Sequence, residues 1–425
     1  MKQRVYISGI GIINSIANSV ADFEKSLRDG RQGIGFLQNK SGTSTVKIGA
    51  EIHEFSFGSI LQNFTALPEV PGDVVSKAKK CAQRSSFAIQ AAVSALLEAY
   101  VNAQLFQKPV TNDKIGIIVA GSNLTNCVQA GLYPKFAQDP EYLSPMYALQ
   151  FMDTDHIGTI SEIFDIAGEG FTVGGASASG NIGIIKGFQL IQLGIVDACI
   201  VIGALADLTN MELQGFYNIG AMGGKKFHNE PEKACRPFDM EHEGFIYGQA
   251  SGCLILESME SVQKRKITPI AEMLGGAIFL DGNRMSDPNE NGEIKAMTAA
   301  LAQANITANE VDYINTHGTS SPLGDETELK AIKKVFGEET RRIWINATKG
   351  LTGHCLFSAG VVEAIASIVQ MNAGFIHPNI NLDNPIETDF LFGGKTSTQA
   401  EINTAVSNSF GFGGINTSII LRKVF

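Results

Sequence analysis

The chain has 425 residues, 44% of them hydrophobic and 18% charged, with a formal net charge of −10. Such a length allows two or three domains, or one large duplicated unit, around a sizeable core. The acidic balance argues against a broad nucleic-acid or anionic-membrane surface, and no apolar run reaches the roughly 20 residues that span a bilayer.

In chain order, Met1-Lys2-Gln3-Arg4 leads into a strand over residues 5–13 with no signal-peptide pattern, so a cytoplasmic protein is expected. A helix follows at 20–27, then loops and short strands over 30–70. Residues 74–100 read as one long helix, basic in its first part and small and apolar in its second. The apolar run 113–120 fits a strand covered on both faces, and 121–170 fit loops and helices near an entrance or interface. Residues 171–173 form a short strand. The small-residue turn 173–177 then feeds an apolar helix starting near Asn181. This is the geometry of a nucleophile elbow, yet its apex is glycine.

Downstream, strands are expected at 197–203 and 252–257, separated by a loop that opens with Arg236-Pro237-Phe238-Asp239. The βα alternation then repeats: a strand at 312–315, a helix at 325–335, a strand at 343–346 and a helix at 358–371. Strands at 405–409 and 417–421 close the chain. Two successive βα halves, 1–255 and 256–425, predict a layered α/β architecture with parallel-rich sheets in one body. The six cysteines, Cys81, Cys127, Cys199, Cys235, Cys253 and Cys355, are scattered and read as reduced thiols.

Three later stretches carry candidate chemistry. His317, in Asn315-Thr316-His317-Gly318-Thr319, sits at the C-terminal end of a strand, where α/β sheets favour ligand sites. Lys349 and His354 share a second glycine-rich motif after a strand. Taken singly, these residues read more readily as a structural histidine, a surface charge and a loop residue. The third stretch, Ser407 through Asn416, repeats glycines that let backbone approach a ligand closely.

Together and in this order, VYISGIGIINS, RPFDMEHEGFIYGQASG, NTHGTSSPLGDETE, ATKGLTGHCLFSAG, NLDNP and SNSFGFGGIN make the chain resemble the β-ketoacyl synthases. These are the condensing enzymes of fatty acid and polyketide synthesis, and the likeness runs nearly end to end. It implies the thiolase-like α-β-α-β-α fold built from duplicated βα halves. It also implies roles. His317 and His354 match the pair that contacts the thioester carbonyl, and Lys349 with its acidic partner Glu328 would hold the second histidine. Thr319 and Ser321 would hold a phosphopantetheine arm. Phe245 would face the malonyl carboxylate, and Phe412 would gate the site.

The departure from the family is the nucleophile. Counting back without a gap from Asn181-Ile182-Gly183 places Gly175 at the family's cysteine, and no cysteine lies between Cys127 and Cys199. Ser177, two positions on, reads as a structural small hydroxyl residue. Gln249 stands where condensing members usually carry an acid. Without a nucleophile no acyl chain can be stored, whereas decarboxylation needs only a place for the enolate charge. The resemblance therefore points to the cysteine-less ketosynthase-like decarboxylases of polyketide β-branching cassettes, converting malonyl- to acetyl-acyl-carrier protein. The alternative is a non-catalytic subunit like the chain-length factors. An acidic carrier protein would dock on Lys77, Lys79, Lys80 and Arg84, which lie within eight residues on one predicted helix. A homodimer is expected from the resemblance, with no bound cofactor and no metal site.

Overall fold

Apolar runs rich in isoleucine, valine and glycine build the centre of the molecule. The computed structural model describes residues 3–38 and 44–424, so Met1 and Lys2 of the expected leader-free start lie outside the described residues. In the first half, β1 (Val5–Asn14), β2 (Ile115–Ala120), β4 (Ala198–Gly203) and β5 (Ala250–Ser258) are buried at every position, while β3 (Gly170–Val173) is a more exposed edge. The second half holds β6 (Ala271–Leu280), β7 (Tyr313–Asn315), β8 (Trp344–Asn346), β9 (Leu391–Phe392), β10 (Thr404–Gly411) and β11 (Ile415–Arg422).

These strands form one sheet in the order β3-β2-β4-β5-β1-β6-β11-β10-β7-β8-β9. The duplication shows in the pairing. Strand β2 is parallel to β3 and β4, with antiparallel pairs β4–β5 and β5–β1; β7 is parallel to β8 and β10, with antiparallel pairs β10–β11 and β11–β6. The first half is thus evenly mixed, whereas in the second, where β8 is also parallel to β9, three parallel pairs stand against two antiparallel ones. The halves join where Val5, Tyr6 and Ile7 pair with Met273, Glu272 and Ala271.

Helices named here in chain order are α1 (Gly72–Ala82), α2 (Phe87–Asn102), α3 (Ser179–Gln192), α4 (Glu290–Ala304), α5 (Pro322–Phe336) and α6 (Ala359–Ala373). Helix α2 covers β1 and β5 from outside, and α4 covers β6 and β11. Between the two halves of the sheet, α3 and α6 pack on strands of both, which gives five layers in all. The stretch Leu356–Ala373 is long and apolar enough to cross a membrane, but it is buried as this middle-layer helix. The two helices cross backbone to backbone. A Cβ on Gly180 would stand 2.6 Å from Val361 N, and one on Gly360 the same distance from Asn181 N.

Three expectations are corrected. The helix foreseen over 74–100 is two helices, because Ser86 breaks it and caps α2 by accepting from Ile89 N–H at 3.4 Å. The stretch read as loops and short strands also holds a helix, Phe57–Thr65, capped by Ser56. The division between 255 and 256 cuts β5, whose pairing with β1 runs through Ser258; the chain leaves this half only after a helix at Met259–Arg265.

Candidate active site

Strand β3 delivers the chain into a single 3-10 turn, Ala176–Ala178, that runs directly into α3 at Ser179. The Gly175 N–H donates to Ser179 Oγ at 2.9 Å, and that hydroxyl donates to the Ala176 carbonyl at 2.7 Å, locking the turn. The apex differs from the one read in the sequence. Gly175 is extended (φ −169°), and the left-handed residue is Ala176 (φ +47°). Glycine at 175 answers to space instead, since a Cβ there would lie 2.2 Å from Ile182 Cδ1. Neither residue offers a nucleophilic atom. The cavity beside the turn, about 890 Å³, is lined by Ala176 and Ser177 and, among the described residues, by no cysteine.

The second half supplies the donors. His317 follows β7, and His354 lies at the end of the glycine-rich turn after β8; their rings stand 5.4 Å apart, edge to face, on one wall of the cavity. Burial, reinforced by the nearby Lys349 cation, holds both imidazoles well below their ordinary range, so both are neutral. Their tautomers follow from their partners. The Lys349 ammonium has three hydrogens, directed at Glu363, the His317 carbonyl (2.6 Å) and His317 Nδ1 (3.3 Å). The Leu356 N–H points at His354 Nδ1, 3.3 Å away. Each Nδ1 is thus an acceptor, which assigns the hydrogen of each ring to Nε2. The site presents two neutral N–H donors.

Two roles expected for Lys349 and Glu328 are corrected. The acidic partner of Lys349 is Glu363, one turn into α6, and the pair is buried at both ends. The lysine holds the first histidine, not the second. Glu328, on α5, accepts instead from the backbone N–H groups of His317 and Gly318, both at 2.8 Å, and fixes the loop that carries His317. Burial raises both Glu328 and Glu363 to about 7 against these donors. Glu363 was legible in principle: a lone carboxylate in an apolar helix implies a buried cation.

The remaining residues line the same cavity. Thr319 and Ser321 pair their hydroxyls at 2.9 Å across Ser320, a left-handed residue (φ +68°). Three bonds hold that turn: Ser320 N–H to Asp325, Arg236 N–H to Ser320 Oγ, and Gly244 N–H to the Ser320 carbonyl. The RPFD motif therefore buttresses the site rather than entering it, with Arg236 and Asp239 forming a buried pair at 2.9 Å. Phe245 meets His354 edge-on at 5.3 Å, and Phe216 bridges Phe245 to the more exposed Phe412. Ser177 is also drawn in, with Oγ 2.8 Å from His354 Nε2. This contact gives Ser177 a place in the site beyond the structural one expected from the sequence. Gln249 lies apart, accepting from Ile52 N–H. Of the basic cluster, Lys77 pairs with Asp165 at 2.6 Å, Lys79 and Lys80 are exposed on α1, and Arg84 lies beyond that helix; none lines the cavity.

The chain as a whole is similar to known proteins. The family models for the β-ketoacyl synthase N-terminal and C-terminal domains match residues 2–261 and 270–383. A polyketide biosynthesis malonyl-ACP decarboxylase of Bacillus subtilis (strain 168) is 38% identical over 99% of this chain and 96% of its own. A 3-oxoacyl-[acyl-carrier-protein] synthase 2 of Staphylococcus aureus (strain COL) is 32% identical over 99% and 98%. Among solved structures, the ishigamide ketosynthase/chain length factor superposes with a TM-score of 0.84 at 26% identity, covering all of both chains. A β-ketoacyl synthase from Burkholderia phymatum STM815 does so with 0.83 at 25%, again over both full lengths. Matched by the models of both domains and by relatives above 30% identity from end to end, the chain belongs to the β-ketoacyl synthase family.

Proposed function

We propose that this protein decarboxylates malonyl-acyl-carrier protein to acetyl-acyl-carrier protein, in polyketide β-branching, without condensing it. One observation carries the reading: two neutral Nε2–H donors face a cavity whose elbow bears no nucleophile. As carbon dioxide leaves, negative charge moves onto the thioester oxygen. Two preorganised donors stabilise it there, each worth about 3 to 4 kcal/mol of barrier. Phe245, Phe216 and Phe412 give the malonyl group an apolar wall. Thr319 and Ser321 would hold the phosphopantetheine arm, which serves as a substrate handle rather than a bound cofactor. With no acyl-enzyme to attack, the enolate takes up one proton and departs as acetyl thioester. The name of the B. subtilis relative supports the same chemistry.

The carrier would dock through Lys79, Lys80 and Arg84, and the protein would act as a homodimer in the cytoplasm. A second reading, a chain-length-factor-like subunit of a heterodimer, is supported by the likeness to the ishigamide ketosynthase/chain length factor; the exposed apolar residues Tyr133, Phe136, Tyr142, Met146, Leu149 and Phe151 suit either kind of dimer. Incubation of the purified protein with malonyl-carrier protein, followed by mass measurement of the carrier, separates the two. The decarboxylase reading expects loss of carbon dioxide from the carrier-bound group; a malonyl thioester that persists at the rate of the blank would falsify it.

A further inference from the structure

Decarboxylation of a malonyl thioester leaves a carbon that must be protonated, and the two histidines do not supply that proton. Each is neutral with its single N–H at Nε2, so giving that hydrogen up would leave an imidazolate. Resting on the decarboxylase reading, we propose that the Ser177 hydroxyl is the general acid that protonates the enolate carbon.

The hydrogen-bond directions support this role and exclude the obvious alternative. Because His354 Nδ1 accepts from Leu356 N–H, Nε2 carries the hydrogen, and Ser177 Oγ accepts it at 2.8 Å. A histidine in that tautomer has no lone pair with which to deprotonate the serine, so Ser177 is not an activated nucleophile. Its own hydrogen remains available to donate. The residue is half-buried and lines the cavity. A thioester oxygen that takes the Nε2–H of His354 displaces the serine from that donor and brings the α-carbon, two bonds from the oxygen, beside the released hydroxyl. Fixing one donor there replaces a search by solvent with a positioned proton transfer. Ser177 also sits in the turn that opens α3, whose positive end favours a transient oxyanion.

The step balances with one water. The enolate electron pair forms the new C–H bond to the serine hydrogen as the O–H bond breaks. The serine oxygen takes a proton from a cavity water, and the resulting hydroxide combines with carbon dioxide as bicarbonate. In sum, malonyl thioester and water give acetyl thioester and bicarbonate.

The test compares Ser177→Ala and Ser177→Thr with the natural protein on malonyl-carrier protein, in water and in heavy water. Acetyl formation by the natural protein establishes the underlying reading separately; its absence would remove that reading and the proposal with it. The alanine variant should lose about 100-fold in kcat with KM unchanged or lower. It should also acquire a solvent deuterium isotope effect that the natural protein lacks, because protonation has become limiting. Threonine, which keeps a hydroxyl, should recover most of the rate. Melting followed by circular dichroism confirms that the variants fold, and Ser177→Gly replaces the alanine variant if that one does not. An alanine variant at the natural rate would overturn the proposal. So would a slow variant without the isotope effect, or acyl mass recovered on the Ser177 peptide.

Discussion

The two halves of this protein carry the same elbow but present different side chains from it. In the first, Ala176 is left-handed at φ +47°, a 3-10 turn runs to Ala178, and α3 begins at Ser179. In the second, Leu356 is left-handed at φ +49°, a 3-10 turn runs to Ser358, and α6 begins at Ala359. The backbones match because α3 and α6 cross at Gly180 and Gly360, where neither helix can shift without collision. What they hold differs. The first elbow offers a methyl group and the hydroxyl of Ser177. The second aims the Leu356 N–H at His354 and so fixes its tautomer. A duplicated scaffold can keep its geometry through packing alone, while the side chains it presents diverge.

Removing the charge that organises the second half should break the comparison most severely. Lys349→Met strands Glu363 in the core and frees the His317 ring, at a cost of about 3–5 kcal/mol. Denaturant unfolding should show it, and adding Glu363→Leu should restore most of the stability but not the activity. Next come the donors themselves. His317→Ala or His354→Ala should each lower the decarboxylation rate by roughly 100- to 1,000-fold, while thermal unfolding changes far less.

Acid sharpens the contrast between halves through two other buried histidines. Burial lowers His156 and His377 alike to about 4. In the unfolded chain both bind protons from their ordinary 6.5 downward, so folding stability should fall as pH drops from 6.5 toward 4, by up to roughly 3 kcal/mol for each. His377 is bonded to Thr348 and the Pro378 carbonyl, whereas neither ring nitrogen of His156 has a hydrogen-bond partner among the described residues. His156→Leu should therefore flatten the acid limb with little loss near neutrality, and His377→Leu should cost stability throughout. The smallest effect belongs to the surface. Lys79→Glu with Lys80→Glu should weaken carrier binding by about 1 kcal/mol or less per charge and reduce its salt dependence, read as KM for malonyl-carrier protein at two ionic strengths.

Much of this was legible in the sequence where a motif ties residue type to position. His317, His354, Thr319, Ser321 and Phe245 all reach one cavity. Local reading stopped where partners come from distant segments. Glu328 and Glu363 are both carboxylates near Lys349, and only the packing of α6 against the turn carrying the lysine chooses between them. The elbow's apex slipped by one residue because small residues at 174–178 allow several turns, and Ile182 settles which position lacks room for a side chain. Strand β6 is not legible in the sequence because Gly275 and Gly276 interrupt its apolar pattern. Gly275 lets α4 approach, since a Cβ there would stand 2.9 Å from Ala304 N, and Gly276 faces α3, where a Cβ would stand 2.8 Å from Ile185 Cγ1.

The central claim is that the second half decarboxylates although the first can no longer store an acyl chain. It is tested most directly by supplying malonyl-carrier protein together with an acyl-carrier protein and weighing every carrier-bound product. The account predicts acetyl-carrier protein, an untouched acyl donor and no β-ketoacyl product. A β-ketoacyl product, or a malonyl group that survives at the rate of the enzyme-free control, would contradict it.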